Sequence, residues 1–363
     1  MRALIAPDKF KGTLSAPAAA LAIAEGVREA LPSAVISLCP LADGGSGTVD
    51  ALLDAVDGQK RYVSTTDPWG VPIRAPVAAL ADGSVCIETA APEMRDAVAA
   101  DSGGTGRALI EAAALSPTRT VLVAVGGTAS TDGGVGLARA LGWRFVDAHG
   151  QPLPPGGGAL AELARIEAPT ERIDANVIGL CDVDTPLLGA AGAARRFGPQ
   201  KGASPEQVEL LERGLTTLAR VIERDLDLDV ERLPHAGAGG GLAAGLSAFL
   251  GAELRSGFGF VAEKLRLERL VSEADVVVTG EGRFDEQSLD GKAPTGLALM
   301  ARGLGVPCLG IFGSIALAPK VALTAGFSDV VDLTDPREAA PGPQDPFATL
   351  ARGARALMQR LPA

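Results

Sequence analysis

The chain is poor in aromatic rings. Phe, Trp and Tyr make up only 4% of its 363 residues against 47% hydrophobic residues overall, so the interior must be built from Ala, Val and Leu. Side chains of that size suit helices lying closely on a parallel sheet. Histidine is scarcer still, with two residues: His149 in "DAHGQ", which reads as a hairpin tip, and His235 beside a glycine loop. Such a pair argues against a histidine-based nucleophile triad and against a zinc site. The four cysteines, Cys39, Cys86, Cys181 and Cys308, show no C-x-x-C spacing and read as small buried hydrophobes in a reducing compartment. No apolar run is long enough to span a bilayer, and Asp8 and Lys9 interrupt any signal-peptide core, so a soluble cytoplasmic protein is expected. Positive charge is also in deficit. The formal net charge of −11 repels phosphodiester backbones and acidic membrane surfaces, which leaves small molecules as the expected partners, with no nucleic acid and no membrane. An anionic substrate would be repelled too, and needs local cations and backbone N–H groups.

The familiar nucleotide frameworks are missing as well. The one Gly-Lys pair, Gly291–Lys292, has Glu286 where a G-x-x-x-x-G-K-[ST] loop needs its first glycine. The protein-kinase set of glycine-rich loop, HRD and DFG is absent, and no strand–GxGxxG–helix unit supports dinucleotide binding.

What the sequence does contain is an alternation of short apolar runs with alanine-rich helical patterns, the mark of an α/β protein with a largely parallel sheet. "ALIAP", "AVISLC", "TVLVAVGG", "NVIGLC", "DVVVT", "VPCLGIFGS" and "DVVDL" read as strands. Ser15 is placed to cap a helix over 16–31, with Pro17 in its first turn. Residues 60–100 alternate and are punctuated by proline, which predicts antiparallel strands, and "WRFVDAHGQPLPPGGGAL" predicts a hairpin and loop. A mixed domain over 66–267 is therefore expected, inserted into a parallel α/β domain formed by 1–65 and 268–363.

Several strands run directly into glycine, acid and hydroxyl residues. In "VVVTGEGRFDEQSLDGKAPTG" (276–296), Gly280 and Gly282 are expected to turn the backbone with N–H groups exposed. Glu281, Arg283 and Asp285 flank them, and Lys292 stands ahead of a helix that begins at Pro294, a location that attracts anions. "GGTASTDGG" (126–134) offers Gly126, Gly127, Gly133 and Gly134 for an anion nest, with Thr128, Ser130 and Thr131 as further donors and Asp132 as a ligand contact or a cap. "LADGGSGT" (41–48), with Asp43, Gly44 and Gly45, and "HAGAGGGLAAG" (235–245) repeat the plan. Four such loops point to a ligand with several phosphate or carboxylate groups. Lys9 and Lys11 follow the first strand, and Lys201 lies in "FGPQKGA". Asp182 and Asp184 follow a strand in "CDVDTPL", where one or two carboxylates could meet Mg2+ together with substrate phosphates.

Taken together, "APDKFKGTLSA", "LADGGSGT", "GGTASTDGG", "CDVDTPLLG", "FGPQKGA", "GAGGGLAAG" and "TGEGRFDEQSLDGKAPTG" resemble the type I (bacterial) glycerate kinases, in the family's order and from residue 6 to 296. Ser46 stands where that family usually has glutamate, and Thr131 where asparagine is common. The resemblance implies a flavodoxin-like domain built from both chain ends with an inserted mixed α/β domain. It also implies ATP and Mg2+ as co-substrate and metal, and D-glycerate as acceptor. The implied product is 2-phosphoglycerate, with 3-phosphoglycerate as the alternative. Within that chemistry Asp182 and Asp184 are expected at the metal or the attacking hydroxyl, and Lys9, Lys11 and Lys292 at phosphate or carboxylate charge. Asp43 competes with Asp182 for the role of general base. A non-catalytic sensor of a phosphorylated metabolite is the reading from another class, and a homo-oligomer is left open.

Overall fold

The computed structural model describes residues 1–89, 94–335 and 345–361. The chain divides into two compact units, one formed by Met1–Asp43 with Phe258–Ala363 and the other by Gly44–Gly257.

The first unit is built on five parallel strands. Their spatial order is Asp329–Asp332, Cys308–Ile315, Val276–Phe284, Arg2–Ile5 and Val35–Leu38. Counted within the unit, this is the 2-1-3-4-5 order of flavodoxin-like folds, in which strand order reverses between Arg2–Ile5 and Val276–Phe284. Period-2 alternation sends successive side chains to opposite faces. Ala3, Ile5, Val276 and Val278 pack with the helices Ala16–Ala30 and Pro346–Met358. Leu4, Ala6, Cys39, Leu41 and Val277 face the other way, onto the helix Ala293–Gly303. The shortage of aromatics is met by close approach: a Cβ on Gly26 would lie 1.9 Å from the Ala351 carbonyl oxygen of the facing helix. Ser15 does cap Ala16–Ala30, its Oγ accepting the Ala18 N–H at 3.4 Å, with proline in the first turn.

In the second unit six strands pair in the order Glu253–Ser256, Asn176–Cys181, Thr120–Ala124, Val85–Glu88, Pro72–Leu80 and Gly58–Thr66. The first four are mutually parallel, and Pro72–Leu80 runs antiparallel to both of its neighbours, Val85–Glu88 and Gly58–Thr66. The proline-punctuated segment thus forms the expected antiparallel strands, joined by a turn in which Asp67 Oδ1 accepts the N–H groups of Trp69 and Val71 at 2.9 Å. In "WRFVDAHGQ", Arg144–Val146 makes its main pairing with Arg165–Glu167 rather than with the residues just after the turn. The helix Pro205–Leu226 opens on a capping box between Ser204 and Gln207 and buries Leu211, Leu215, Leu218 and Ile222.

The unit boundaries at 43/44 and 257/258 differ from the expected 65/66 and 267/268. The first shift follows from strand pairing, since Gly58–Thr66 pairs over its whole length with Pro72–Leu80 and cannot belong to the other sheet. The second follows from burial, since Phe258, Ala262 and Leu267 pack with Leu4 and Val277 in the core of the first unit.

All four cysteines are free and buried, and burial pushes the Cys39 thiol up to about 11. They are packing residues, as expected. Among the described residues no helix is long and apolar enough to cross a membrane.

Candidate active site

Three neighbouring strands of the first unit end alike. Leu4 and Ala6 lead to Asp8, Cys39 and Leu41 to Asp43, and Val277 and Thr279 to Glu281. The apolar members of these rows belong to one core cluster. The parallel ladder carries the alternation past the formal strand ends. Ala6 N–H donates to Val278 O and Asp8 N–H to Gly280 O, while Cys39 N–H donates to Ile5 O and Leu41 N–H to Pro7 O, at 2.8 to 2.9 Å. Three carboxylates thereby arrive on one face at the carboxyl end of the sheet, at the point where strand order reverses. In open α/β sheets that is where ligands bind.

All three acids are buried: Asp8 is 4% exposed, Asp43 5% and Glu281 6%. Two lysines stand among them. Lys9 Nζ lies 3.6 Å from Asp8 Oδ1 and 3.9 Å from Asp43 Oδ1. Lys292 Nζ lies 4.0 Å from Glu281 Oε2, and Lys292 is the N-cap of the helix Ala293–Gly303. Burial is the leading influence on the acids. It pushes Asp8 up to about 6, with Lys9 opposing and Asp43 reinforcing the shift. It pushes Glu281 up to about 7 against the pull of Lys292.

Sequence reading placed Lys9, Asp43, Glu281 and Lys292 here and missed Asp8. The available signal was the spacing Leu4-Ala6-Asp8, which repeats on the two neighbouring strands. Gly280 and Gly282 need correction. They do not turn the chain, because the strand continues to Phe284 and Gly280 pairs with Ile311. A Cβ on Gly280 would lie 1.9 Å from the Ile311 carbonyl oxygen, and one on Gly282 3.1 Å from Lys11 N, so Gly280 serves close strand packing and Gly282 the approach of the loop at Phe10 and Lys11. Lys11 itself is exposed. Arg283 is exposed and lies 3.5 Å from Asp285. Asp285 caps the short helical turn Glu286–Leu289, accepting Gln287 N–H at 3.0 Å.

In the second unit the loops after Thr120–Ala124 and Asn176–Cys181 meet the chain at Gly44 and Gly45. Gly126 N–H donates to Gly44 O at 3.0 Å. A Cβ on Gly126 would stand 2.6 Å from Asp182 Oδ2 and 2.7 Å from Gly45 Cα, so only glycine admits the carboxylate at that distance. Gly127, with φ of +80°, is exposed, and Thr128 is buried beside Ser130 with their hydroxyls 3.2 Å apart. Much of the expected anion nest is already engaged within the protein. Gly133 N–H donates to Gly240 O, Gly134 N–H to Asp132 Oδ1, and Ser130 N–H to Thr128 Oγ1. The glycines of 126–134 and 235–245 let the two loops pack together: a Cβ on Gly240 would lie 2.2 Å from Ser130 O.

Asp132 is fully buried and turned inward. One of its oxygens accepts Ser102 N–H at 2.9 Å, Ser102 Oγ–H at 2.7 Å and Gly136 N–H at 3.0 Å. It braces the loop and is not presented as a ligand contact. Lys201 is also buried, with Nζ donating to Ser130 O at 2.6 Å. Burial lowers it to about 8, although the charges of Asp132 and Asp182 oppose that shift. Asp184 does not join Asp182. Its side chain is 69% exposed and its Oδ1 accepts the His235 N–H at 3.1 Å. Among the described residues no group of three or more His, Cys, Asp or Glu is arranged to hold a metal ion.

Each unit thus gathers candidate site residues at its strand ends: buried carboxylates with two lysines in one, glycine loops with Asp182 and Lys201 in the other. Known proteins share this chain over its whole length. It is 39% identical to Glycerate 2-kinase of Escherichia coli, covering 99% of this chain and 98% of that protein. It is also 39% identical to Glycerate kinase of Halalkalibacterium halodurans, covering 91% and 90%. A crystal structure named as glycerate kinase 2 from Salmonella typhimurium LT2 matches with a TM-score of 0.75 and 36% identity, covering 99% of this chain and 96% of that one. The family model described as Glycerate kinase family matches residues 3–360. The chain is therefore a kinase, and belongs to the glycerate kinase family.

Proposed function

We propose that this chain catalyses ATP-dependent phosphoryl transfer to D-glycerate, with 2-phosphoglycerate as the product. The observation that carries the reading is the set of Lys9 and Lys292 among buried Asp8, Asp43 and Glu281 at the strand-order reversal. Phosphoryl transfer asks a protein mainly to position reactants and to neutralise charge. Two ammonium groups supply the neutralisation in a chain whose net charge opposes anions. Acids that titrate near neutrality supply a proton acceptor. The name of the E. coli relative supports the 2-position.

ATP phosphates fit the glycine loops, chiefly at Gly44, Gly45, Gly127 and Thr128. Lys201 acts there through the loop it braces. Mg2+ takes one or two carboxylates and otherwise water and phosphate oxygens, so the single carboxylate of Asp182 beside Gly126 fits an ion that arrives with nucleotide. Bound Mg2+ would neutralise charge on the transferring phosphates. Asp184, held on His235, is left outside this set. ADP release coupled to a spectroscopic assay with D-glycerate tests the reading. Asp182→Asn is expected to lower turnover by roughly 100-fold and to raise the Mg2+ concentration needed for half-maximal rate. Nucleotide and glycerate binding without turnover in the wild-type protein would instead identify a sensor.

A further inference from the structure

We propose that Glu281 is the general base that removes the proton from the acceptor hydroxyl, with Asp8 and Lys292 as the positioning residues beside it. This assignment rests on the kinase reading and selects one acid out of the three buried at the strand ends of the first unit.

Geometry selects it. Glu281 Oε1 is buried and meets no partner of good hydrogen-bond geometry, while Oε2 faces Lys292 at 4.0 Å and the Ser288 hydroxyl adds a stabilising interaction with the carboxylate. A buried carboxylate oxygen left without a donor destabilises the fold, and its retention calls for a use. Asp8 is already engaged, since its Oδ1 accepts Lys9 N–H at 2.7 Å and faces Lys9 Nζ at 3.6 Å. Asp43 shares Lys9. Glu281 also sits on the strand that borders the order reversal, where an acceptor molecule would lie across the strand ends.

In the proposed step Oε1 takes the hydroxyl proton. The freed oxygen lone pair forms the bond to the γ-phosphorus of ATP. The bond from that phosphorus to the β,γ-bridging oxygen breaks, and its electron pair leaves with ADP. Glu281 ends the step protonated and returns the proton to water.

The charged groups facing Glu281 make the assignment testable by sign. From the first strand end come Asp8, with Lys9 behind it, from the second Asp43, and from the helix N-terminus Lys292. On the adjoining strand the residue in register is Phe312, which is uncharged. Asp8 raises the proton affinity of Glu281 and Lys292 lowers it.

The experiment is the pH dependence of kcat for the full chain and three variants, with D-glycerate and ATP saturating. In the wild type, kcat is expected to rise with pH through an inflection above the ordinary carboxylate range, since burial already raises the Glu281 carboxyl before ligands bind. Asp8→Asn should move that inflection to lower pH and Lys292→Met should move it to higher pH. Glu281→Gln should lose about 10²- to 10⁴-fold in kcat with little change in KM for D-glycerate, and should not show that inflection. A wild-type protein that does not phosphorylate D-glycerate overturns the kinase reading. An active wild type whose Glu281→Gln variant keeps kcat within about tenfold overturns the base assignment alone. Should Glu281→Gln not fold, the two shifts still decide, and an inflection unmoved or moved with the wrong sign overturns the assignment.

Discussion

Asp8 and Glu281 are held where their charged forms are poorly solvated, and this has a consequence for stability. Both have folded-state proton affinities above their ordinary values, from 3.8 to about 6 and from 4.5 to about 7. Between those limits the folded protein keeps protons that the unfolded chain has released, so stability falls as pH rises from about 4 to 7 and is level above. Glu281→Gln removes the buried charge and is expected to melt a few degrees higher than wild type at pH 8, a gain of roughly 1–3 kcal/mol that vanishes near pH 5. Differential scanning calorimetry at the two pH values checks this, and equal melting temperatures at pH 8 would contradict it. Residue-level reading of the sequence found most of this cluster but passed over Asp8. An aspartate just after a strand resembles a turn starter, and only its register with Asp43 and Glu281 marks it as one of a row. For Asp132 two readings were open, a ligand contact or a cap, and the structure shows the capping role: its carboxylate accepts from Gly134 and Gly136 at the start of a helix and from Ser102.

At the scale of elements, most strands and the Ser15 cap were legible, because period-2 apolar runs and capping residues act locally. What a glycine does was not legible, because it depends on a neighbour distant in sequence. Gly280 looked like a turn and proves to be a point where Val276–Phe284 runs against Cys308–Ile315. Gly280→Ala is therefore expected to destabilise the protein by about 2 kcal/mol or more, through overpacking against the Ile311 carbonyl. Gly303→Ala is expected to act in the other direction. Gly303 ends the helix Ala293–Gly303, and a Cβ there meets nothing within 4 Å, so the change should stabilise by up to about 1 kcal/mol. Urea denaturation of both variants tests the pair, and effects of the same sign would contradict the packing argument. The unit boundaries were misplaced for a similar reason. Pairing of Gly58–Thr66 with Pro72–Leu80 is decided by register across a turn, which composition does not reveal.

Over the whole molecule, a net charge of −11 coexists with a chemistry that must gather anions. In the proposed reading Lys9 and Lys292 meet that need in the first unit, each held beside buried acids. In the second unit the glycine loops pack tightly on one another, steadied by Lys201 and Asp132. Family and fold class were readable because short distinctive motifs occur in the family's order along the chain. The distances among their side chains were not, since they arise only when separate strands align. The most direct test is the proton-coupled phosphorus NMR spectrum of wild-type enzyme incubated with ATP, Mg2+ and D-glycerate. A new phosphomonoester doublet, split by the single proton on carbon 2, is the predicted result. A triplet from the two protons of carbon 3 would contradict the proposed product, and no new phosphomonoester signal at all would contradict the proposed reaction.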